Sequence, residues 1–339
     1  MTEVCRIASA VAKGGNVDAS DILELRRTIY RDGIVSREEA GALFDIDRRR
    51  TSHSDAWSDL FVEAITDYAL NQEPPVGYLA EDTANWLVDE ISKQAKPSTD
   101  ADIELVTNII EKAREVPAAF AAFALRLVKN MIIYGGGPDA RGRPHPGGRV
   151  SEADTSALAR ILWGAGGEGL MAISREEAEA LFDIVRASAG AENDPKFDDL
   201  FAKAIGNYLL GATGHAVPPR EVALRQQTDQ VYHTQVLNVL TRTLASVSKV
   251  PDTQFVIDTI RNARSLGDDV EHAFAVTNGE REAAIAAASE LTAAKAGWLL
   301  QHFDQGGVMT EPERALVRFL AREASKIDQS LAPVLAKAS

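Results

Sequence analysis

One cysteine, Cys5, stands in 339 residues. That excludes an intrachain disulfide framework and a cysteine-ligated zinc site, and it fits a reducing, cytoplasmic setting. Aromatic residues are scarce at 6% against 45% apolar residues overall, so the core must be assembled mostly from aliphatic and small side chains. With alanine so frequent, closely packed helices are favoured. Basic residues are in deficit: 36 Lys and Arg against 50 Asp and Glu leave a formal charge of −14. Such a surface repels phosphate backbones, which argues against nucleic-acid binding. Long apolar runs are missing as well. The most apolar stretch, Pro117 to Ile133, carries Arg126, Lys129 and Asn130 and reads as a buried helix, not a membrane span. The opening residues MTEVCRIASAVAKGG have an acid at position 3 and no sustained apolar stretch before Lys13, unlike a secretory signal.

Familiar catalytic patterns are missing too. The six histidines, His53, His145, His215, His233, His272 and His302, never fall in HxxxH or HExxH spacing, so no mononuclear zinc site of that type is encoded. There is no GxSxG elbow and no GxxxxGK[ST] loop. Cys5, close to the N-terminus, is a poor nucleophile.

What is present is a repeat. SREEAGALFDIDRR (36–49) recurs as SREEAEALFDIVRA (174–187), with eleven of fourteen positions identical. DLFVEAITDYAL (59–70) recurs as DLFAKAIGNYLL (199–210), and LVTNIIEKAR (105–114) more faintly as FVIDTIRNAR (255–264). The offset grows from 138 to 150 residues, a domain-sized period that points to duplication and not to a short solenoid repeat. The fold class expected is therefore all-α: an N-terminal segment 1–16, a helical domain 17–150 and a second one 151–339, each long enough to bury its own core. VYHTQVLNVL (231–240) is read as helix, and β-strands are not expected.

Each copy opens a helix with the same device. Ser36 followed by Glu39 is a capping box, in which the hydroxyl accepts an orphan helix N–H and the carboxylate reaches back to the cap residue. Ser174 with Glu177 repeats it, and Ser151 with Asp154 and Thr310 with Glu313 are looser versions closing each half. Leu43 and Phe44, then Leu60, Phe61, Ala64, Ile65 and Tyr68, step round their helices onto inward faces. Trp57, Trp86, Trp163 and Trp298 lie in apolar helical patterns and read as packing residues.

The first turn matches the back half of a twelve-residue calcium loop, with Asp32 and Gly33 at positions 5 and 6, Ser36 at 9 and Glu39 at 12. The front half fails, because Thr28 and Tyr30 stand where calcium wants carboxylates. In the second copy Leu170 and Met171 replace the Asp-Gly pair, while the last turn keeps Asp304, Gly307 and Glu313.

The phrase YRDGIVSREEA on a helix-loop-helix resembles the opening of TerB-like domains, the helical family named for a tellurite-resistance protein. The likeness is strongest over 22–70 and weaker over 158–211. It implies a cytoplasmic helical domain that acts as a scaffold in stress-related or membrane-associated complexes, with protein partners and with acidic residues suspected of holding a divalent cation, calcium or similar. Carried over by motif, the metal candidates are Asp32, Glu38 and Glu39. Capping alone accounts for Glu39 and Glu177, at about 1 kcal/mol each, and Asp32-Gly33 is a turn signal in its own right.

The stretch YGGGPDARGRPHPGGR (134–149) is a loop by composition. Arg141, Arg143, His145 and Arg149 make a basic island there, and glycine amides can approach an anion, so a phosphate or an acidic partner segment is one reading and a solvated insertion the other. Asp45 and Asp183, after Leu-Phe in both copies, belong on solvated faces or bond a neighbouring segment. Two functional readings follow: a non-enzymatic interaction scaffold, or an enzyme using carboxylates and the arginine island in a groove between the halves.

Overall fold

The computed structural model describes residues 17–31, 33–50, 54–72, 74–93, 98–137, 143–164, 173–210, 290–303 and 308–338. The fold is all-α. The first half holds α1 (Ala19–Ile29), α2 (Arg37–Arg49), α3 (Asp55–Asn71), α4 (Glu81–Ser92), α5 (Asp100–Lys112) and α6 (Ala118–Tyr134). The second holds α7 (Glu152–Gly164), α8 (Arg175–Ala187), α9 (Pro195–Leu210), α10 (Ala293–His302), α11 (Glu311–Glu323) and α12 (Ala332–Ala338). Among the described residues none of these helices is long and apolar enough to cross a membrane.

Contrary to the expectation of no strands, β1 (Glu290–Leu291) pairs in parallel with β2 (Lys326–Ile327). The Asp328 amide extends this ladder by donating to the Leu291 carbonyl at 3.1 Å. The ladder is two residues long because its task is local: it ties the entry of α10 to the exit of α11. Residues 231–240 and 255–264 lie outside the described residues.

Helix starts are written in the sequence by capping boxes. Ser36/Glu39, Ser174/Glu177 and Thr310/Glu313 form as expected, and so does Ser151/Asp154, whose carboxylate accepts the Ser151 amide at 2.8 Å and hydroxyl at 2.6 Å. Two more use aspartate at the third position: Asp18/Asp21 opens α1 and Thr99/Asp102 opens α5. This changes the alignment of the halves. Ser151/Asp154 opens α7 as Asp18/Asp21 opens α1, and Thr310/Glu313 opens α11 as Thr99/Asp102 opens α5. The Ser151 turn therefore begins the second series and does not close the first.

The aromatic contacts follow the same order. Phe44 meets Phe61 edge to face at 5.1 Å and 88°, and Phe182 meets Phe201 at 5.1 Å and 88°. Trp86 packs on Phe44 at 5.7 Å, and Trp298 packs on Phe182 at 5.7 Å. Tyr68 closes the first set on Trp86 and Tyr208 the second on Trp298. So by these contacts and caps α4 corresponds to α10 and α5 to α11, while 255–264, the sequence match to 105–114, lies outside the described residues.

Among the described residues the buried side chains of the two halves join in one continuous core. The reason is the middle of the chain: α5 packs on α7, and α6 packs on both α7 and α8. The tightest pairing is α9 with α11, where a Cβ on Gly206 would run into the Phe319 ring. Trp57 and Trp298 are buried as expected. Trp163 is not: it is 41% exposed, because it sits one residue before the end of α7 and faces the shallow hollow between α7 and α9.

Candidate functional site

The loop after α6 is built rather than loose over its described part. Gly135, at φ +85°, ends the helix, and the chain then doubles back. The Gly136 amide donates to the His145 carbonyl at 3.1 Å, Gly137 to Ser98 at 2.8 Å and Gly148 to Ile132 at 2.7 Å. A Cβ on Gly147 would strike the backbone of Tyr134 and Gly135. These glycines serve backbone-on-backbone packing, and the amides of Gly135, Gly136, Gly137 and Gly148 all donate to main-chain carbonyls.

The same fold-back aims His145 inward. Its Nε2 lies 3.1 Å from Oδ1 and 3.2 Å from Oδ2 of Asp154, the buried carboxylate that caps α7. The imidazole is 13% exposed, and its Nδ1 is buried without a hydrogen-bond partner. Arg143 and Arg149 remain at the surface, and Arg141 lies outside the described residues.

His145 instead faces a cleft of about 450 Å³ where α3, α5 and α7 begin, with Asp55, Ser58, Asp100, Glu104 and Arg160 in its walls. Arg160 binds Glu104 through both terminal nitrogens at 2.7 and 3.0 Å and Glu111 through Nε at 2.8 Å. Chemically the cleft combines carboxylates, one imidazole and one engaged guanidinium. Among the described residues no three His, Cys, Asp or Glu side chains gather to hold a metal ion.

In the first turn, Glu39 Oε2 accepts the Ser36 amide at 3.0 Å and the Ser36 hydroxyl at 2.8 Å, so that oxygen is committed to capping. Glu38 is exposed on the first turn of α2, and Gly33 takes the left-handed conformation at φ +75°. Asp32 lies outside the described residues, as do Leu170, Met171, Asp304 and Gly307. Asp183 bonds a neighbouring segment, receiving Lys129 of α6 at 3.1 Å and Arg186 at 2.5 Å. Asp45 is held by Arg48.

A second concavity, about 800 Å³, runs between α6 and α8. Its lining is mostly apolar, with Ala118, Ala121, Ala122, Leu125 and Ala180. Glu115, Glu176, Glu177, Arg126 and Lys129 add charge of both signs to that lining.

Sequence reasoning missed a buried ionic group in the first half. Asp47 accepts Arg50 Nε at 2.7 Å and Trp57 Nε1 at 2.8 Å, the Arg50 guanidinium lies 5.7 Å from the Trp57 ring centre, and Asp102 is 1% exposed beside them. The signal was in the repeat: Asp47 stands where the other copy has Val185, and a carboxylate in a valine position is a buried one. No protein-family model, curated protein or solved structure matches the chain.

Proposed function

We propose that the protein is a non-enzymatic helical scaffold of TerB-like type, built from a duplicated unit, and that the α6–α8 groove takes an amphipathic helix of a partner protein. The observation that carries this reading is the groove itself: a mostly apolar lining with charge of both signs among it, a chemistry that a helix with one apolar face and charged flanks fits. Of the carboxylates singled out in the sequence, Glu39, Asp154, Glu177 and Glu313 are by contrast engaged in capping. The same reading places the protein in the cytoplasm, in stress-related complexes, and assigns a divalent-cation response to Asp32, Glu38 and Glu39.

Photo-crosslinking from position 122 in the native cell, with adducts mapped by mass spectrometry, tests it. The expected adducts fall on one helical segment of one protein and disappear when Leu125→Arg is added. Adducts scattered over many proteins, or none, overturn the groove as the interface.

A second reading has one observation in its favour. The cleft brings His145 onto the buried Asp154 and places Asp55, Asp100 and Glu104 around it, which is what an enzyme with its site between the halves needs. Loss of a metabolite-induced melting shift in both His145→Gln and Asp100→Asn would move the assignment to that reading.

A further inference from the structure

We propose that the outer face of α11 is a second docking surface, separate from the α6–α8 groove, and that it takes an acidic amphipathic helix of a partner protein. The duplication supplies the template. In the first half α5 is covered by α7: Arg160 of α7 binds Glu104 and Glu111 of α5, and a Cβ on Gly164 would press on Ile110 and Glu111. Glu104, Thr107 and Glu111 follow at three and four residues, the spacing of one helix face. Thr107 and Ile110 are 0% exposed on that side.

The likeness of α11 to α5 is close enough to compare them residue by residue. Thr310 and Glu313 make the cap that Thr99 and Asp102 make. Phe319, which lies against Gly206 of α9, stands where Asn108 bonds Thr66 of α3 at 2.9 Å, and Gly206 is the repeat equivalent of Thr66. The parallel bridge of Tyr78 with Glu115 after α5 is likewise the counterpart of β1 with β2 after α11.

By this alignment Ala315 takes the place of Glu104, Arg318 of Thr107, Ala321 of Ile110 and Arg322 of Glu111. Arg318, Ala321 and Arg322 are exposed, so the face that α7 covers on α5 is open on α11. Its charge is reversed. Arg314, Arg318 and Arg322 put one cation on each turn, in a chain whose net charge is −14. Glu311 pairs with Arg314 and Glu323 with Arg322, and Asp198 and Glu311 act on Arg318. Ion pairs at the surface contribute little, so carboxylates brought by a partner can replace them.

A second copy of this chain does not fit the face. Its α1 is the counterpart of α7, and Arg27 and Arg31 stand there in the places of Arg160 and Gly164. Docked as α7 docks on α5, both would be brought against Arg322, and like charges so placed repel. A helix with small apolar residues between carboxylates meets the alanines and the arginines together.

Fluorescence anisotropy of the full chain with a stapled helical peptide tests the proposal. The probe carries a leucine and alanine stripe flanked by one glutamate on each turn. Its twin has lysine for every glutamate, and a scrambled peptide of the same composition spreads the glutamates round the helix. The glutamate peptide is expected to bind the wild type, to weaken with salt, and to lose about tenfold or more in affinity when Arg318→Glu and Arg322→Glu are combined. The lysine twin should prefer that variant, which also shows the variant to be folded. Leu125→Arg, in the α6–α8 groove, should leave the binding unchanged, so the two surfaces stand or fall separately. Failure of the glutamate peptide to bind, equal binding by the scrambled peptide or by the charge-reversed variant, or loss in Leu125→Arg overturns the proposal. So does a chain that ignores the peptide and sediments with phosphatidylserine vesicles through Arg318 and Arg322, which would make the row a membrane contact.

Discussion

His145 reaches from the folded-back loop to Asp154, with its Nε2 3.1 Å from the carboxylate that caps α7. One carboxylate thus serves two segments: the loop that ends the first half and the helix that starts the second. Asp154→Ala removes the cap, strips His145 of its partner and leaves Ser151 unmatched. A lost cap costs about 1 kcal/mol and a stranded buried polar group about 1–3 kcal/mol more. His145→Ala should cost less, because the Ser151 bonds to Asp154 survive it. Thermal melting is expected to rank the variants wild type, His145→Ala, Asp154→Ala in falling order. Equal melting of the two variants would mean that the cap contributes nothing beyond the histidine contact.

Tyr30 gives a prediction in the alkaline range. Its hydroxyl is buried without a hydrogen-bond partner, and burial, with Glu63 and Asp67 close by, pushes the phenol up to about 12. A folded value above the ordinary 10 means that this group favours folding below pH 10 and that the benefit is lost as pH rises towards 12. Absorbance at 295 nm should show a late ionising phase that Tyr30→Phe removes. The same variant deletes an unpartnered polar atom, so its melting temperature at pH 7 should equal or exceed that of the wild type.

Periodicity and capping made the helices legible, since both are local: Leu43 and Phe44 face inward because of where they fall on a turn of helix, and Ser36 with Glu39 needs four residues. The correspondence of α4 with α10 and of α5 with α11 was not legible from the matched segments, because the similarity there is carried by a tryptophan, Trp298, and a cap, Thr310, not by a run of identical residues. His145 shows why the loop site was hard to read. Composition grouped it with the arginines, while the fold-back is decided by glycines that let Gly147 lie against the backbone of Tyr134, and the imidazole meets Asp154. Trp163 misled for the opposite reason, since an apolar pattern does not say which residue of a helix end leaves the core.

The divalent-cation reading of the first turn separates from capping through one conservative change. Glutamine at the third position of a capping box still satisfies the cap amide but carries no charge. Glu39→Gln should therefore melt with the wild type in chelator, within about 0.5 kcal/mol, yet lose any shift produced by millimolar calcium or magnesium. Glu177→Gln, in the copy without an Asp-Gly pair, should leave the ion response intact. A wild type that shows no shift with any divalent ion, or a shift that survives in Glu39→Gln, removes Glu39 from any ion site.

The α9–α11 contact yields a stability prediction with its own rescue. Gly206 lets the Phe319 ring lie directly against the α9 backbone, and a Cβ there would overlap the ring. In a helix interior Ala is otherwise preferred to Gly by up to about 1 kcal/mol, so helix propensity and packing pull in opposite directions at this position. Overpacking of this kind costs about 1–3 kcal/mol, and packing should win: Gly206→Ala is expected to lower the urea midpoint. Phe319→Leu alone should also destabilise, by leaving a void. Combined, the two changes should be less damaging than their sum, because the smaller side chain makes room for the methyl, and the helix propensity of alanine is then realised. A coupling energy of at least about 0.5 kcal/mol in the double-mutant cycle is expected for residues in direct contact. Additive effects would mean that α9 and α11 adjust their separation freely, and that Gly206 is not what sets their close approach.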